Sequence, residues 1–303
     1  MPTSFAYADA FSRNIGWVTK PEQERLRRSC VAIAGMGGVG GVHLLTLARL
    51  GIGRFRIADF DTFDIANFNR QAGATISALG RPKVDVLAEM ALDINPELEI
   101  ERFPAGVSAD NVERFIGGAD AYVDGLDFFA FSARQLTFAA CDRLKVPAVT
   151  VAPLGMGAGL LNFLPGQMSF EDYFQWGDQP DDEKALRFLV GLAPARLHQG
   201  YLVDPSVVSL AERRTPSTIM GCQLCAGVAG TETLKILLGA GRSGGARARV
   251  IAAPHGVQFD AYRNRVSHTW RPGGNRHPLQ RLAMMIGRRQ LARMRAEEAA
   301  RVR

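Results

Sequence analysis

CVAIAGMGGVGG (residues 30–41) is the stretch that decides the fold of this chain. Its first six residues form a short apolar run that ends in glycine, which is typical of a buried parallel strand. Residues 40–50 then place apolar side chains at helical spacing and end at Gly51, a residue type common just after a helix. Glycines between a strand and a helix let backbone N–H groups approach phosphate oxygens, and the helix start adds partial positive charge. The stretch therefore predicts a strand, a phosphate-binding loop and a helix.

The segments that follow alternate between strand and helix. Apolar runs that predict strands lie at 55–61, 98–103, 121–127 and 147–152. Helical spacing separates them, as in KVDVLAEMALDIN after Pro82 and in residues 131–144. This alternation predicts an α/β fold with a Rossmann-like, mostly parallel, doubly wound sheet. Residues 257–270 predict two more strands joined at a tight Arg263-Asn264 turn, so antiparallel C-terminal strands extend that sheet.

The sequence divides into three parts around this sheet. Residues 1–29 are polar and predict an N-terminal helical segment, and residues 30–275 form the main domain. Within that domain, residues 165–216 carry Pro, Asp, Gln and aromatics without a clean period, which predicts a long crossover that covers a site. Helical spacing returns at residues 221–239. Residues 276–303 predict a basic helical tail.

Composition limits the class of protein. The chain has 303 residues of which 47% are hydrophobic, enough to bury a substantial core. No apolar run of the required length predicts a membrane span, and the N-terminus lacks a secretion signal, so we expect a cytoplasmic protein with reduced thiols. The net charge is +6, and residues 281–303 alone hold seven arginines. A solvated helix face accounts for that tail, with a nucleic acid partner as the weaker alternative.

The glycine loop alone does not identify the nucleotide. Gly35, Gly37 and Gly40 also satisfy the G-x-G-x-x-G pattern of dinucleotide sites, so an NAD-dependent dehydrogenase is a real alternative. Asp59 and Asp61 come at the end of the next strand, 19 and 21 residues after Gly40. A carboxylate at that place accepts hydrogen bonds from both ribose hydroxyls.

Charged residues downstream favour a triphosphate over NAD. ATP requires further cations, and usually Mg²⁺, to offset the charge that develops as pyrophosphate leaves. Arg70 and Lys83 are suitable donors. Asp127 follows the fourth strand, at the sheet edge where open α/β folds bind ligands. A lone carboxylate suits Mg²⁺, which keeps most of its waters and takes one or two protein ligands.

Four motifs in order, GMGGVGG, DFDTFDIANFNRQ, GRPK and DGLD, resemble those of the ThiF, MoeB and HesA-like proteins of the ubiquitin-activating superfamily. The resemblance covers roughly residues 11–270 and implies an ATP-dependent adenylyltransferase that forms an acyl-AMP and pyrophosphate. The resemblance implies that the phosphates are held by Gly35, Gly37, Gly38 and Gly40, and that the ribose is bound by Asp61 with Asp59 beside it. It implies that the triphosphate is lined by Asn67, Arg70 and Gln71. It also implies that Lys83 contacts phosphate and the charge that develops in the transition state, and that Asp127 holds Mg²⁺. Arg13 matches the family's N-terminal arginine, which reaches into the partner subunit's site and so implies a homodimer.

The sequence departs from that family in three places. Phe128 follows Asp127 where many members have asparagine. One C-x-x-C pair is present, Cys222 and Cys225, so no zinc site is expected, because structural zinc takes four ligands. That pair is interpreted as small packing residues, with a reactive thiol pair as the alternative. Residues 142–221 contain no cysteine, so we expect the reaction to stop at the acyl-adenylate, with Cys222 as the one plausible stand-in acceptor.

Several functions therefore stay open. The adenylated carboxylate could be the C-terminus of a peptide or ubiquitin-like protein, or a small molecule. One alternative is an ATP-dependent dehydratase that acts on a modified tRNA base or a peptide side chain, which the basic tail mildly favours. The others are the NAD-dependent dehydrogenase and a non-catalytic adaptor with the same fold. Lys83 and Asp127 count against an adaptor, which needs neither.

Overall fold

The computed structural model describes residues 5–204, 207–209, 212–239 and 249–301, with side chains through residue 292. Eight strands in these ranges form one sheet, in the order β3-β2-β1-β4-β5-β6-β7-β8. The strands are β1 (Cys30–Ala34), β2 (Arg54–Ala58), β3 (Glu99–Phe103), β4 (Ala121–Asp124), β5 (Ala148–Leu154), β6 (Gly157–Phe163), β7 (His255–Asp260) and β8 (Arg265–Trp270).

The sheet is parallel in its first half and antiparallel in its second. Strands β1 to β5 pair in parallel, whereas β5–β6, β6–β7 and β7–β8 pair antiparallel. The last residues of three strands meet in register, since Ala34 of β1 lies opposite both Ala58 of β2 and Asp124 of β4. The loops that follow these strands consequently share one edge. The predicted Rossmann-like fold with antiparallel C-terminal strands is confirmed.

Helices cover both faces of the sheet because successive strand residues point to opposite sides. The helices are α1 (Tyr7–Ala10), α2 (Lys20–Arg28), α3 (Gly38–Arg49), α4 (Lys83–Ile94), α5 (Val112–Ile116), α6 (Phe131–Leu144), α7 (Phe170–Phe174), α8 (Asp181–Leu192), α9 (Ile219–Leu237) and α10 (Pro278–Arg301). Val31 and Ile33 face the core under α3, α4 and α9. Ala32 and Ala34 face a core rich in aromatic rings from α5 to α8.

Two strands end earlier than the sequence predicts. Strand β2 stops at Ala58 rather than residue 61, and β4 stops at Asp124 rather than residue 127. In each place a carboxylate accepts the backbone N–H two residues on: Asp59 from Asp61 at 2.8 Å, and Asp124 from Leu126 at 3.2 Å. Aspartate favours such turns because its side chain replaces a strand partner. The polar loop ends therefore belong to the site and not to the sheet.

Two regions differ from the sequence-based expectation. Strand β6 was not predicted, because all seven of its residues are buried and no alternation marks it. Residues 165–216, predicted as an irregular crossover, contain the helices α7 and α8. Helix α8 buries Ala185, Leu186 and Phe188 on one face. Its first turn is acidic, Asp181 to Glu183, and this charge hides the apolar period in the sequence.

The C-terminal helix α10 packs against α8. The Gln280 side chain donates to the carbonyl of Val190 at 3.0 Å, and Arg288 pairs with Glu183 at 2.6 Å. Ala283 and Met284 of α10 are buried. The start of the basic tail is thus anchored to the segment between β6 and α9. No helix in the described ranges is long and apolar enough to cross a membrane.

Candidate functional site

The glycine loop between β1 and α3 packs so tightly that it requires glycine. Gly35 has φ +85°, and a Cβ there would lie 2.2 Å from the carbonyl oxygen of Gly125. A Cβ on Gly40 would lie 1.7 Å from the carbonyl oxygen of Gly35. The loop is therefore pressed against the segment after β4. No side chain caps the first turn of α3, so its free N–H groups are available to an anion.

Asp59 ties this loop to the end of β2. Its carboxylate accepts the backbone N–H of Met36 at 2.6 Å and that of Asp61 at 2.8 Å. Burial raises the pKa of the Asp59 carboxyl, and the two N–H groups partly offset that rise. Each carboxylate oxygen of Asp59 thus accepts a backbone N–H, and Asp59 helps to hold the phosphate loop in its conformation.

Lys83 brings a buried cation to the same edge. It is 5% exposed and its ammonium lies 2.9 Å from Oδ2 of Asp61. The Lys83 backbone N–H also donates to the carbonyl of Asp61, at 3.0 Å. The Asp61 side chain is 52% exposed, so one side of this ion pair meets solvent. The structure therefore brings Asp59, Asp61 and Lys83 together beside the loop.

The segment after β2 places Arg70 and Gln71 against the loop, and it holds Asn67 in a turn of its own. A Cβ on Gly38 would lie 3.6 Å from Cγ of Arg70, and one on Gly37 would lie 3.7 Å from Nε2 of Gln71. Gln71 is 8% exposed and its Oε1 is buried without a partner in the described structure. A buried acceptor without a donor is costly, so this oxygen fits a donor on a bound ligand. Asn67 instead accepts the backbone N–H of Asp64 at 3.0 Å, within its own turn.

Asp127 is exposed in the loop after β4, two residues from Gly125 and its contact with the phosphate loop. Its Oδ1 accepts the N–H of Phe129 at 2.9 Å. In the described part of the chain no group of three or more His, Cys, Asp and Glu side chains could hold a metal. A single carboxylate still fits Mg²⁺ when phosphate oxygens and water complete the shell.

Arg13 is the one predicted site residue that lies far from the others. It is exposed in the turn Ser12–Asn14, whose Asn14 side chain donates to the carbonyl of Leu50 at 3.1 Å. Leu50 directly follows the last residue of α3, whereas the phosphate loop lies at the first turn of that helix. A helix of this length spans about 18 Å, so Arg13 lies a full helix away from the loop of its own chain.

The cysteine pair lies in the wall of the site. A Cβ on Gly38 would lie 3.0 Å from Sγ of Cys222, and Sγ lies 3.9 Å from the hydroxyl of Ser217. Cys222 and Cys225 are both buried free thiols. Burial raises the pKa of each thiol, although Ser217 and Arg70 oppose the rise at Cys222. This geometry favours packing over thiolate chemistry.

Sequence reasoning did not single out Arg134, which lies beneath the loop after β4. Its Nε donates to Oδ2 of Asp124 at 2.9 Å, and both side chains are 2% exposed. Thr150 donates to the same oxygen at 2.9 Å. An arginine in a helix, ten residues after an aspartate at a strand end, is the sequence signal that could have pointed to this pair.

Comparison with known proteins places the chain in a family. The model of the ThiF family matches residues 11–281. The chain belongs to the ThiF family. The resemblance inferred from the four motifs is thereby confirmed.

Two curated relatives show how far the likeness extends. A tRNA threonylcarbamoyladenosine dehydratase of Bacillus subtilis (strain 168) is 36% identical over 141 residues, which are 46% of this chain and 55% of the relative. The sulfur carrier protein ThiS adenylyltransferase of Escherichia coli (strain K12) is 29% identical over 165 residues, 54% of this chain and 65% of the relative. The chain thus spans about half the length of the curated relatives it matches.

A solved structure shows the same fold. The E. coli MccB structure with ATP aligns with a TM-score of 0.60 at 18% identity, covering 82% of this chain and 65% of MccB. At this identity the likeness concerns the fold alone. It agrees with the eight-stranded sheet described above.

Proposed function

We propose that this ThiF-family chain binds ATP·Mg²⁺ at residues 35–40 and adenylates a carboxylate. The observation that carries the proposal is the buried ammonium of Lys83 beside a glycine loop and an uncapped helix start. The loop and the helix start suit two phosphates, and an added cation suits a third. The likeness to a ThiS adenylyltransferase and the ATP in the MccB structure support the same proposal.

The chain's own groups would act by position and charge. The N–H groups of the first turn of α3 hold phosphate oxygens, and Lys83 offsets charge on the leaving pyrophosphate. A carboxylate oxygen of the acceptor attacks the α-phosphorus, and the bond to the bridging oxygen breaks with its electrons on pyrophosphate. Mg²⁺, held by Asp127 and phosphate oxygens, would supply Lewis-acid stabilisation. No cysteine lies between residues 142 and 221 to accept the acyl group, so the proposed product is the acyl-AMP.

A second candidate is ATP-dependent dehydration of a modified tRNA base. The 36% identity with a tRNA threonylcarbamoyladenosine dehydratase favours it. Activation of a carboxylate by adenylation would serve both reactions, so the substrate and not the nucleotide distinguishes them. The proposal of carboxylate adenylation therefore leaves the acceptor to experiment.

We propose a homodimer that completes each site. Arg13 is too far to reach the loop of its own chain and lies on the surface. Trp17, four residues later, is 92% exposed, and tryptophan is enriched at protein interfaces. A twofold dimer would bring the Arg13 segment of one subunit to the loop of the other.

ATP–pyrophosphate exchange tests the main proposal. The panel of candidate substrates contains peptides with free C-termini, a ubiquitin-like protein, small carboxylic acids and a tRNA whose modified base carries a carboxylate group. We expect Mg²⁺-dependent exchange with one of these classes, and its loss in Lys83→Met but not in Arg81→Met. Arg81 is the matched control, since it is a neighbouring cation whose partner is the exposed Glu89. Absence of ATP binding by calorimetry, or tight NADH binding instead, would refute the proposal.

Mixing two inactive variants tests the shared site. Arg13→Ala and Lys83→Met, refolded together, form mixed dimers in which one site has both intact residues. About a quarter of all sites should then recover exchange activity if each dimer is symmetric. Recovery in the mixture and none in either variant alone supports the dimer. A monomer in sedimentation, or no recovery, contradicts it.

A further inference from the structure

The loop after β4 is held from beneath by one buried guanidinium. Arg134 donates through Nη2 to the carbonyls of Leu126 at 2.7 Å and Asp127 at 3.0 Å, and through Nη1 to that of Phe128 at 3.3 Å. Its Nε pairs with Asp124 at the end of the strand. One side chain thus binds three consecutive carbonyls of the loop and the residue at which the loop begins.

The anchor of this arginine is itself rigid. Asp124 accepts hydrogen bonds from Thr150 on β5, from the Leu126 N–H and, at 3.4 Å, from Tyr122. These hydrogen bonds fix the Asp124 carboxylate. The planar guanidinium of Arg134 is oriented by that carboxylate, and it therefore binds the loop carbonyls in a defined position. The loop residues are consequently placed by the sheet, although none of residues 126–128 lies in a strand.

The same arginine also contacts the segment between β6 and α9. Its Cζ lies 4.6 Å above the ring of Phe188 on α8. The ring of Phe128, next to Asp127, lies 5.5 Å from the same Phe188 ring. Helix α8 therefore packs, through Phe188, against both Arg134 and the loop residue Phe128.

We propose that Arg134 is a positioning residue that fixes Asp127 for Mg²⁺. The inference rests on the proposed function, since it assigns a role to the geometry that presents this carboxylate. Asp127 is exposed, one of its carboxylate oxygens accepts the Phe129 N–H, and its backbone carbonyl accepts a hydrogen bond from Arg134. Partners of a metal ligand orient it, and their loss weakens metal binding by about 10- to 100-fold.

Arg134→Lys tests this proposal in the full-length chain. Lysine keeps the charge near Asp124 but cannot bind three carbonyls with a planar fork. Arg143→Lys is the matched control, because Arg143 lies on the same helix and pairs with Glu113 at the surface. The first readout is hydrogen exchange of peptides that cover residues 125–130, without nucleotide or metal. We expect faster exchange there in Arg134→Lys and no change in Arg143→Lys.

The second readout separates positioning from a general structural role. The Mg²⁺ concentration for half-maximal ATP binding should rise about tenfold in Arg134→Lys. Affinity for AMP without metal should stay within about twofold of wild type, since the glycine loop is intact. A parallel fall in AMP affinity, or an unchanged Mg²⁺ requirement, overturns the proposal. If Arg134→Lys does not fold, Thr150→Val removes one bond to Asp124 and the same comparison applies.

The two proposals fail in different ways. A wild-type chain that binds no ATP would refute the proposed function, and with it the role toward Mg²⁺. Hydrogen exchange in residues 125–130 that is identical in wild type and Arg134→Lys would refute the positioning role even if ATP binds. Faster exchange with a raised Mg²⁺ requirement supports both.

Discussion

Gly40→Ala is the sharpest test of how the phosphate loop is built. A Cβ on Gly40 would lie 1.7 Å from the carbonyl oxygen and 2.7 Å from the carbonyl carbon of Gly35. Both atoms belong to the backbone, so no side chain can rotate away. The loop and the helix must separate by more than about 1 Å to restore ordinary contact, and overpacking of this kind costs about 1–3 kcal/mol.

Gly227→Ala is the matched control, the same substitution in another long helix. Gly227 lies on the exposed side of α9, and a Cβ there meets nothing within 4 Å. Alanine should raise the free energy of unfolding by about 0.5–1 kcal/mol, because glycine is a poor helix former. ATP affinity should not change, since α9 keeps its position.

Urea unfolding and calorimetry with ATP measure the two effects. We expect Gly40→Ala to lose stability, after the helix gain is subtracted, and to bind ATP more weakly, because the loop N–H groups are displaced. Its rate of ATP–pyrophosphate exchange should fall about 100-fold, since a shift near 1 Å costs about that much in rate at a positioned site. Wild-type ATP affinity in Gly40→Ala would refute the inference that residues 35–40 hold the phosphates. Equal stability of the two variants would refute the close approach to Gly35.

Three further predictions follow from single features. Lys83→Met should lower the rate of ATP–pyrophosphate exchange at least about 100-fold, whereas Arg81→Met, at a largely solvated ion pair, should leave the rate near wild type. Equal losses would show that the buried position of Lys83 gives it no specific role in the reaction. Burial lowers the pKa of His43 to about 4, below 6.5, so the unfolded chain binds the extra proton and stability falls as pH drops from about 6.5 to about 4. In urea unfolding, the free energy of unfolding should fall by about 3 kcal/mol over that pH range, and this fall should be absent in His43→Phe. An equal fall in the variant would show that other groups cause it. The four cysteines are buried, so Ellman's reagent should detect almost no thiol in the native chain and four in denaturant; rapid native reaction would restore the reactive-thiol interpretation.

Local patterns predicted the parts of the site that lie within one stretch of chain. The turn from β1 into α3 needs glycine at Gly35, where φ is +85°, and residue type alone reveals that need. Asp59 and Asp61 were predicted at the end of β2 because a buried apolar run stops there. The resemblance to the ThiF family came from four such stretches.

Other features were hidden because their signal is not periodic. Strand β6 is buried along its whole length and shows no alternation, and the first turn of α8 is acidic over an apolar face. Asn67 was grouped with Arg70 and Gln71 by the resemblance, and only the folded turn directs its side chain to Asp64. These differences arise from burial on both faces and from competing local hydrogen bonds.

The sequence by itself determined the fold class, the phosphate loop and the charged residues that follow each strand. Only the tertiary structure decided which of them meet: Gln71 against Gly37, Cys222 against Gly38, and Arg134 beneath the loop of Asp127. It also decided that Arg13 does not reach its own loop. The physical reason is that strand and helix patterns are local. The contacts of the site join residues far apart in the chain, and packing of helices on the sheet sets their distances.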